Sequence, residues 1–117
     1  MKNILKDKSY KFALRIIKLS KFLRENKKEY ILSKQVIRSG TSIGALVREA
    51  EYGQSKADFI HKLSIALKEA NETEYWLLLL KDSDYLTEKM FESIKPDIKE
   101  LIKMLISSIK TGKEKNK

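Results

Sequence analysis

The sequence predicts an all-α protein, an antiparallel up-down four-helix bundle. Three observations lead there. Apolar residues recur at helical spacing in four long segments. Among 117 residues there are only 4 Gly and 1 Pro, too few turn formers for a β-rich fold. The connections are short, so consecutive helices must run back along one another. With 42% hydrophobic and 35% charged residues the chain can bury a core. Its length suits a single four-helix-bundle domain over residues 1–117, with frayed ends at 1–8 and 112–117.

The first helix is expected from about Ser9, a suitable N-cap, to Lys28, with Phe12, Ile16, Leu19 and Leu23 on one inner stripe. The second runs from about Leu32 to Tyr52, and Gly53 can end it in the left-handed conformation. The third starts at Ser55, with Asp58 three residues on in a capping-box arrangement, and reaches about Lys81. Its inner stripe is Phe59, Leu63, Ala66, Ala70, Thr73 and Leu77, and Asp82-Ser83-Asp84 forms the next loop. The fourth begins near Thr87. Met90, Phe91, Ile94, Ile98, Leu101, Leu105 and Ile109 share one side, and Pro96 must kink it or split off a short first turn.

Composition excludes several kinds of function. Without Cys there is no disulfide scaffold, thiolate metal site or cysteine nucleophile. One His excludes any site built on paired histidines, so no metal and no cofactor is expected. His61 falls on the polar side of its helix. Glu69 and Glu72 lack the Glu-x-x-His partners of a di-iron bundle, and no Arg lies four to six residues ahead of His61, as a helical ribonuclease of that pattern requires. There is no P-loop, GxGxxG or Ser-His-Asp set, so no catalytic residue is assigned and the protein is read as a non-enzyme. The longest apolar run, Trp76 to Leu80, is far short of a membrane span, and the N-terminus lacks a signal-like apolar region. Both point to the cytoplasm.

Charge is the strongest functional signal. Residues 1–38 hold 12 Lys+Arg and 3 Asp+Glu, a balance of +9 that equals the net charge of the whole chain. On the first helix Lys8, Lys11, Arg15 and Lys18 fall within about 80° of arc, taking 100° per residue. Lys21, Arg24, Lys27 and Lys28 occupy the rest of the outer surface, and Lys34 and Arg38 extend the strip. Such a strip suits sequence-blind contacts to phosphates, and Tyr10 and Tyr30 could stack on bases.

Other polar and small residues read as architecture. Gly40 and Gly44 lie four apart on one helix face, where a neighbouring helix can approach closely. Antiparallel packing of the second and third helices sets Arg38 near Glu69 and Glu72, and Glu49 near Phe59 and Lys62. Surplus apolar stripes on the first helix (Tyr10, Leu14, Ile17) and the third (Ile65, Trp76, Leu79) point to an oligomer interface.

The stretch RSGTSIGALVREAEYGQSKADFIHKLSIALKEANETEYWLLLL resembles the signature of the four-helix-bundle proteins named after 23S rRNA intervening sequences. The matching positions are Arg38 to Ala45, Glu49-Ala50, Asp58-Phe59, Lys62, Ile65-Ala66, Glu69-Ala70, Glu72 and Tyr75-Trp76-Leu77. Leu46 departs from the family's usual Asn, and Leu78 from its frequent Glu. The resemblance implies a small bacterial bundle that assembles as a homopentamer and has no enzymatic activity. The sequence is also similar to accessory proteins of diversity-generating retroelements, basic pentamers that bind nucleic acid and a reverse transcriptase. The expected function is therefore oligomeric nucleic-acid binding with RNA favoured. A protein-binding scaffold or a reverse-transcriptase accessory protein is the alternative.

Overall fold

The computed structural model describes residues 3–115. Four helices follow in order: α1 (Ile4–Asn26), α2 (Leu32–Glu51), α3 (Lys56–Asp82) and α4 (Glu88–Lys115). They form an elongated bundle of 49 × 22 × 21 Å. Each helix packs on its two neighbours around a square, and among the described residues the backbones of the diagonal pairs, α1 with α3 and α2 with α4, do not approach closely. The sparsest face is α1 against α4.

The predicted stripes form most of the core, joined by Val36, Ile43 and Leu80, while Leu19, Phe59, Met90 and Ile109 are only half-buried against it. Phe12, Ile16, Val36, Ile43, Leu63, Leu77, Leu80, Ile98, Leu101 and Leu105 are buried almost completely. Ser55 caps α3 by accepting from the Asp58 amide at 3.0 Å. Thr87 caps α4 in the same way, through the Met90 amide at 3.1 Å.

Three local expectations need correction. The first helix starts at an Asn3 cap, whose side chain accepts from the Lys6 amide at 2.9 Å. Ser9 is instead completely buried at the α1–α2 contact, its hydroxyl donating to the Lys6 carbonyl. The ends are longer helices than expected: Leu5 joins the core, and α4 continues through Gly112, where a Cβ would lie 3.2 Å from Ile60 Cγ1. The outermost predicted tail residues, 1–2 and 116–117, lie outside the described residues. Gly53 has no positive φ. It is needed for space, since a Cβ there would lie 3.1 Å from both the Ala50 carbonyl oxygen and Asp58 Oδ2. Of the two outcomes expected at Pro96, no short first turn splits off: the proline sits on the solvent face of one continuous helix. There the missing amide leaves the exposed Glu92 carbonyl able to face water.

The α1–α2 seam is built from small residues. A Cβ on Gly40 would come within 2.8 Å of Ile16 Cγ1, and one on Gly44 within 3.3 Å of the Ser9 carbonyl oxygen. Further along, the Ser20 hydroxyl donates to the Ser33 carbonyl at 3.3 Å. The two glycines therefore let α1 lie directly on α2, which sets how the basic helix is carried.

Candidate nucleic-acid interface

Tertiary contacts divide the basic strip in two. Toward the N-terminal end of α1, cations are neutralised by other helices. Lys6 pairs with Glu51 at 2.9 Å, and Lys8 with Glu100 at 3.0 Å. Arg15 pairs with Asp97 at 2.6 Å and also donates to the Ser93 carbonyl and hydroxyl at 3.1 and 2.9 Å. Arg15 thus ties α1 to α4 across the loosest face of the bundle. Arg38 is likewise engaged, with Glu69 at 3.1 Å and with Glu72.

The other predicted contact residues behave differently. Lys11, Lys18, Lys21, Arg24, Lys27, Lys28 and Lys34 are exposed and form no ion pair among the described residues. All but Lys11 lie on the C-terminal half of α1, the following loop or the first turn of α2. Over residues 16–34 the only carboxylates are Glu25 and Glu29. Glu29 faces inward at 9% exposure, accepting from the Ser33 amide at 2.8 Å and the Ile31 amide at 3.3 Å. It closes the start of α2, where Ile31 can supply no side-chain cap. Exposed cations without an ion pair also occur elsewhere, among them Arg48, Lys56, Lys68 and Lys103, but six of them fall between Lys18 and Lys34 beside only two carboxylates of that segment.

Arg24 in the last turn of α1 also faces the negative end of its own helix dipole. Lys28 sits at φ 54°, left-handed backbone that costs a non-glycine residue about 1 kcal/mol or more. The loop accepts that strain while turning the lysine outward.

The residues grouped as a structural motif are brought together. Lys62 reaches Glu49 at 3.1 Å, as antiparallel packing requires. Between Arg38 and the core, the Thr73 hydroxyl donates to Ser39 Oγ at 2.9 Å, a buried α2–α3 contact that the sequence did not announce. Exposed pairs of this kind contribute roughly 0–1 kcal/mol each, so they set register more than stability.

The expected interface residues separate. Tyr10, Leu14 and Ile17 are 62%, 45% and 44% exposed and form one outward stripe. Tyr10 borders a groove of about 690 Å³ between α1 and α2, floored by Ala13, Thr41, Gly44 and Ala45 and edged by Arg48. On α3, Ile65, Trp76 and Leu79 are half-buried, and Trp76 packs against the core. The exposed apolar residues of that helix are Tyr75 and Leu78, one position away. Among the described residues no group of three or more His, Asp or Glu side chains could hold a metal ion, and His61 is exposed.

The chain matches the family model of the 23S rRNA-intervening sequence protein over residues 1–107. It belongs to this family. Among solved structures it is similar to a crystal structure at 1.70 Å resolution of a protein of unknown function from the S23 ribosomal protein family of Bacteroides thetaiotaomicron VPI-5482. The two share 61% identity with a TM-score of 0.91, over 92% of this chain and 96% of that one. No curated protein matches. Arg38 to Ala45 with Glu69 and Glu72 lie along the α1–α2–α3 seam rather than at the basic end. Leu46, one departure from the family pattern, is half-buried against the core, where an apolar side chain fits. Leu78, the other, is 41% exposed and enlarges the outward apolar surface of α3.

Proposed function

We propose that this protein is a non-enzymatic, oligomeric nucleic-acid-binding protein with RNA as its favoured partner. The observation that supports this most is the set of unpaired cations running from Lys18 through Lys34, left bare where the rest of the strip is neutralised. Lys11 joins them further down α1. Arg15, chosen from sequence as a phosphate contact, is assigned to the α1–α4 contact instead. The Tyr10, Leu14 and Ile17 stripe supports self-association, and the family resemblance suggests five subunits. Repetition of the basic end around an oligomer would raise avidity for long strands.

A titration of the intact protein against structured RNA, single strands and duplex DNA at several salt concentrations tests the proposal. Each phosphate contact contributes about −0.7 to the log–log salt slope on single strands, so six contacts give about −4. Glu replacements at Lys18, Lys21, Arg24 and Lys28 should abolish binding at moderate salt. Replacement of Lys99, which already pairs with Glu74 at 2.7 Å, and of Lys103 should leave it nearly unchanged. Absence of binding to every nucleic acid near physiological salt would favour a protein-binding scaffold that uses the apolar stripe.

A further inference from the structure

The α1–α2 loop, residues 27–31, is held from within and exposes every side chain but that of Glu29. The Lys27 and Glu29 amides both donate to the Leu23 carbonyl, at 3.2 and 2.9 Å. Glu29 then grips the start of α2 through two amides. On this fixed frame Tyr30 is 58% exposed and Ile31, the most exposed of the large hydrophobic residues, 75%. Arg24, Lys27, Lys28 and Lys34 lie close by in the chain, in the last turn of α1, the loop and the first turn of α2, all exposed. An exposed aromatic ring in a segment of unpaired cations suits an occupant with both an apolar face and negative charge.

We propose that the Tyr30 ring is a stacking platform for an unpaired base, so that this end of the bundle selects single-stranded nucleic acid. The inference deepens the nucleic-acid reading and rests on it. An unstacked base offers a flat face to the ring while the surrounding cations take the flanking phosphates. A duplex keeps its base faces stacked and gains nothing from Tyr30. The preorganised loop removes much of the ordering cost that a flexible platform would incur. Because Glu29 already occupies the first amides of α2, the phosphates meet side chains rather than a helix N-terminus.

A basic tip with Tyr and Ile could also meet an anionic lipid surface. The unpaired cations favour a strand. They continue down α1 through Arg24, Lys21 and Lys18 to Lys11, about 20 Å from Arg24 to Lys11 at 1.5 Å per residue. A linear polyanion can follow that line, whereas a membrane touching the tip cannot.

The test compares three probes on the full chain: a short oligothymidylate, an abasic strand of equal length, and a duplex. Wild type should bind the oligothymidylate most tightly. Tyr30→Ser should weaken that binding by about 5-fold to about 100-fold and leave the abasic strand and the duplex unchanged. Tyr30→Phe, which keeps the ring, should restore it. Circular dichroism and native mass confirm that fold and assembly are retained. Equal affinity of wild type for thymidylate and abasic strands would overturn the platform while leaving nucleic-acid binding intact. An equal loss on all three probes in Tyr30→Ser would do the same. Binding to mixed phosphatidylcholine–phosphatidylserine vesicles but to none of the strands would assign the tip to membranes instead. Failure to bind any probe would overturn the underlying reading as well.

Discussion

Replacing Gly40 with Ala sets two effects of similar size against each other. In a helix interior Ala is favoured over Gly by about 1 kcal/mol. The new Cβ, however, would stand 2.8 and 2.9 Å from Ile16 Cγ1 and Cγ2, and 3.2 Å from Ile16 Cβ. Ile16 is fully buried, and a β-branched side chain in a helix has one strongly preferred rotamer. Relief therefore requires α1 itself to move, and α1 already approaches Gly44 closely through the Ser9 backbone. Overpacking of this kind costs about 1–3 kcal/mol, so Gly40→Ala should lose about 1 kcal/mol net, and at most about 2. Urea unfolding at a fixed protein concentration measures it, since association would otherwise shift the midpoint. In a thermal scan the same loss corresponds to about 4 °C for a domain of this size. A double-mutant cycle sharpens the test. Ile16→Ala alone should cost about 2–5 kcal/mol by cavity formation. In the Gly40→Ala background it should cost less, with coupling of about 0.5–3 kcal/mol. If Gly40→Ala instead raised stability by about 1 kcal/mol, propensity alone would be acting and the close α1–α2 contact would be refuted.

Gly44→Leu should destabilise by at least about 1–3 kcal/mol, because the side chain would wedge against Ser9 backbone that no rotamer change can clear; calorimetry and native mass read the outcome. Glu29→Ala should cost about 1–2 kcal/mol and speed hydrogen exchange at the Ile31 and Ser33 amides, which lose their acceptor. Ile17→Glu, at a position 44% exposed, should leave helicity and monomer stability nearly unchanged while dissociating any assembly built on the Tyr10 stripe, as sedimentation would show.

Much of the fold is legible along the chain because a helix imposes its own period. Phe12, Ile16 and Leu23 must share a face wherever that helix lies, and the stripes of the first, third and fourth helices together demand a common core. Antiparallel neighbours add a simple register, which is why Arg38 with Glu69 and Glu72, and Glu49 with Lys62, follow from counting residues back from the turn near Gly53. The capping of α3 by Ser55 is local and equally legible. The start of α1 is less so, because Ser9 and Asn3 are both chemically fit to cap. Only the burial of Ser9 beneath Gly44 removes one of them.

What the sequence determined by itself is the azimuth of each residue on its own helix, and with it four helices, their inner stripes and an N-terminal third carrying the entire net charge. What only the tertiary structure decided is which of those outward residues meet another helix. Arg15 and Lys8 carry the same charge as Lys18 and flank the inner stripe, but only the packing shows what they meet: α4 brings Asp97 and Glu100 to them from 82 and 92 residues away. Trp76 belongs to an apparent outer stripe until the core takes it in, leaving Tyr75 and Leu78 exposed beside it. The physical reason is the same in each case. Periodicity arises from the local backbone and is written in neighbouring residues, whereas the pairing of a charge or the covering of a ring depends on the rotation and height of a separate helix, which the packing of the whole core sets.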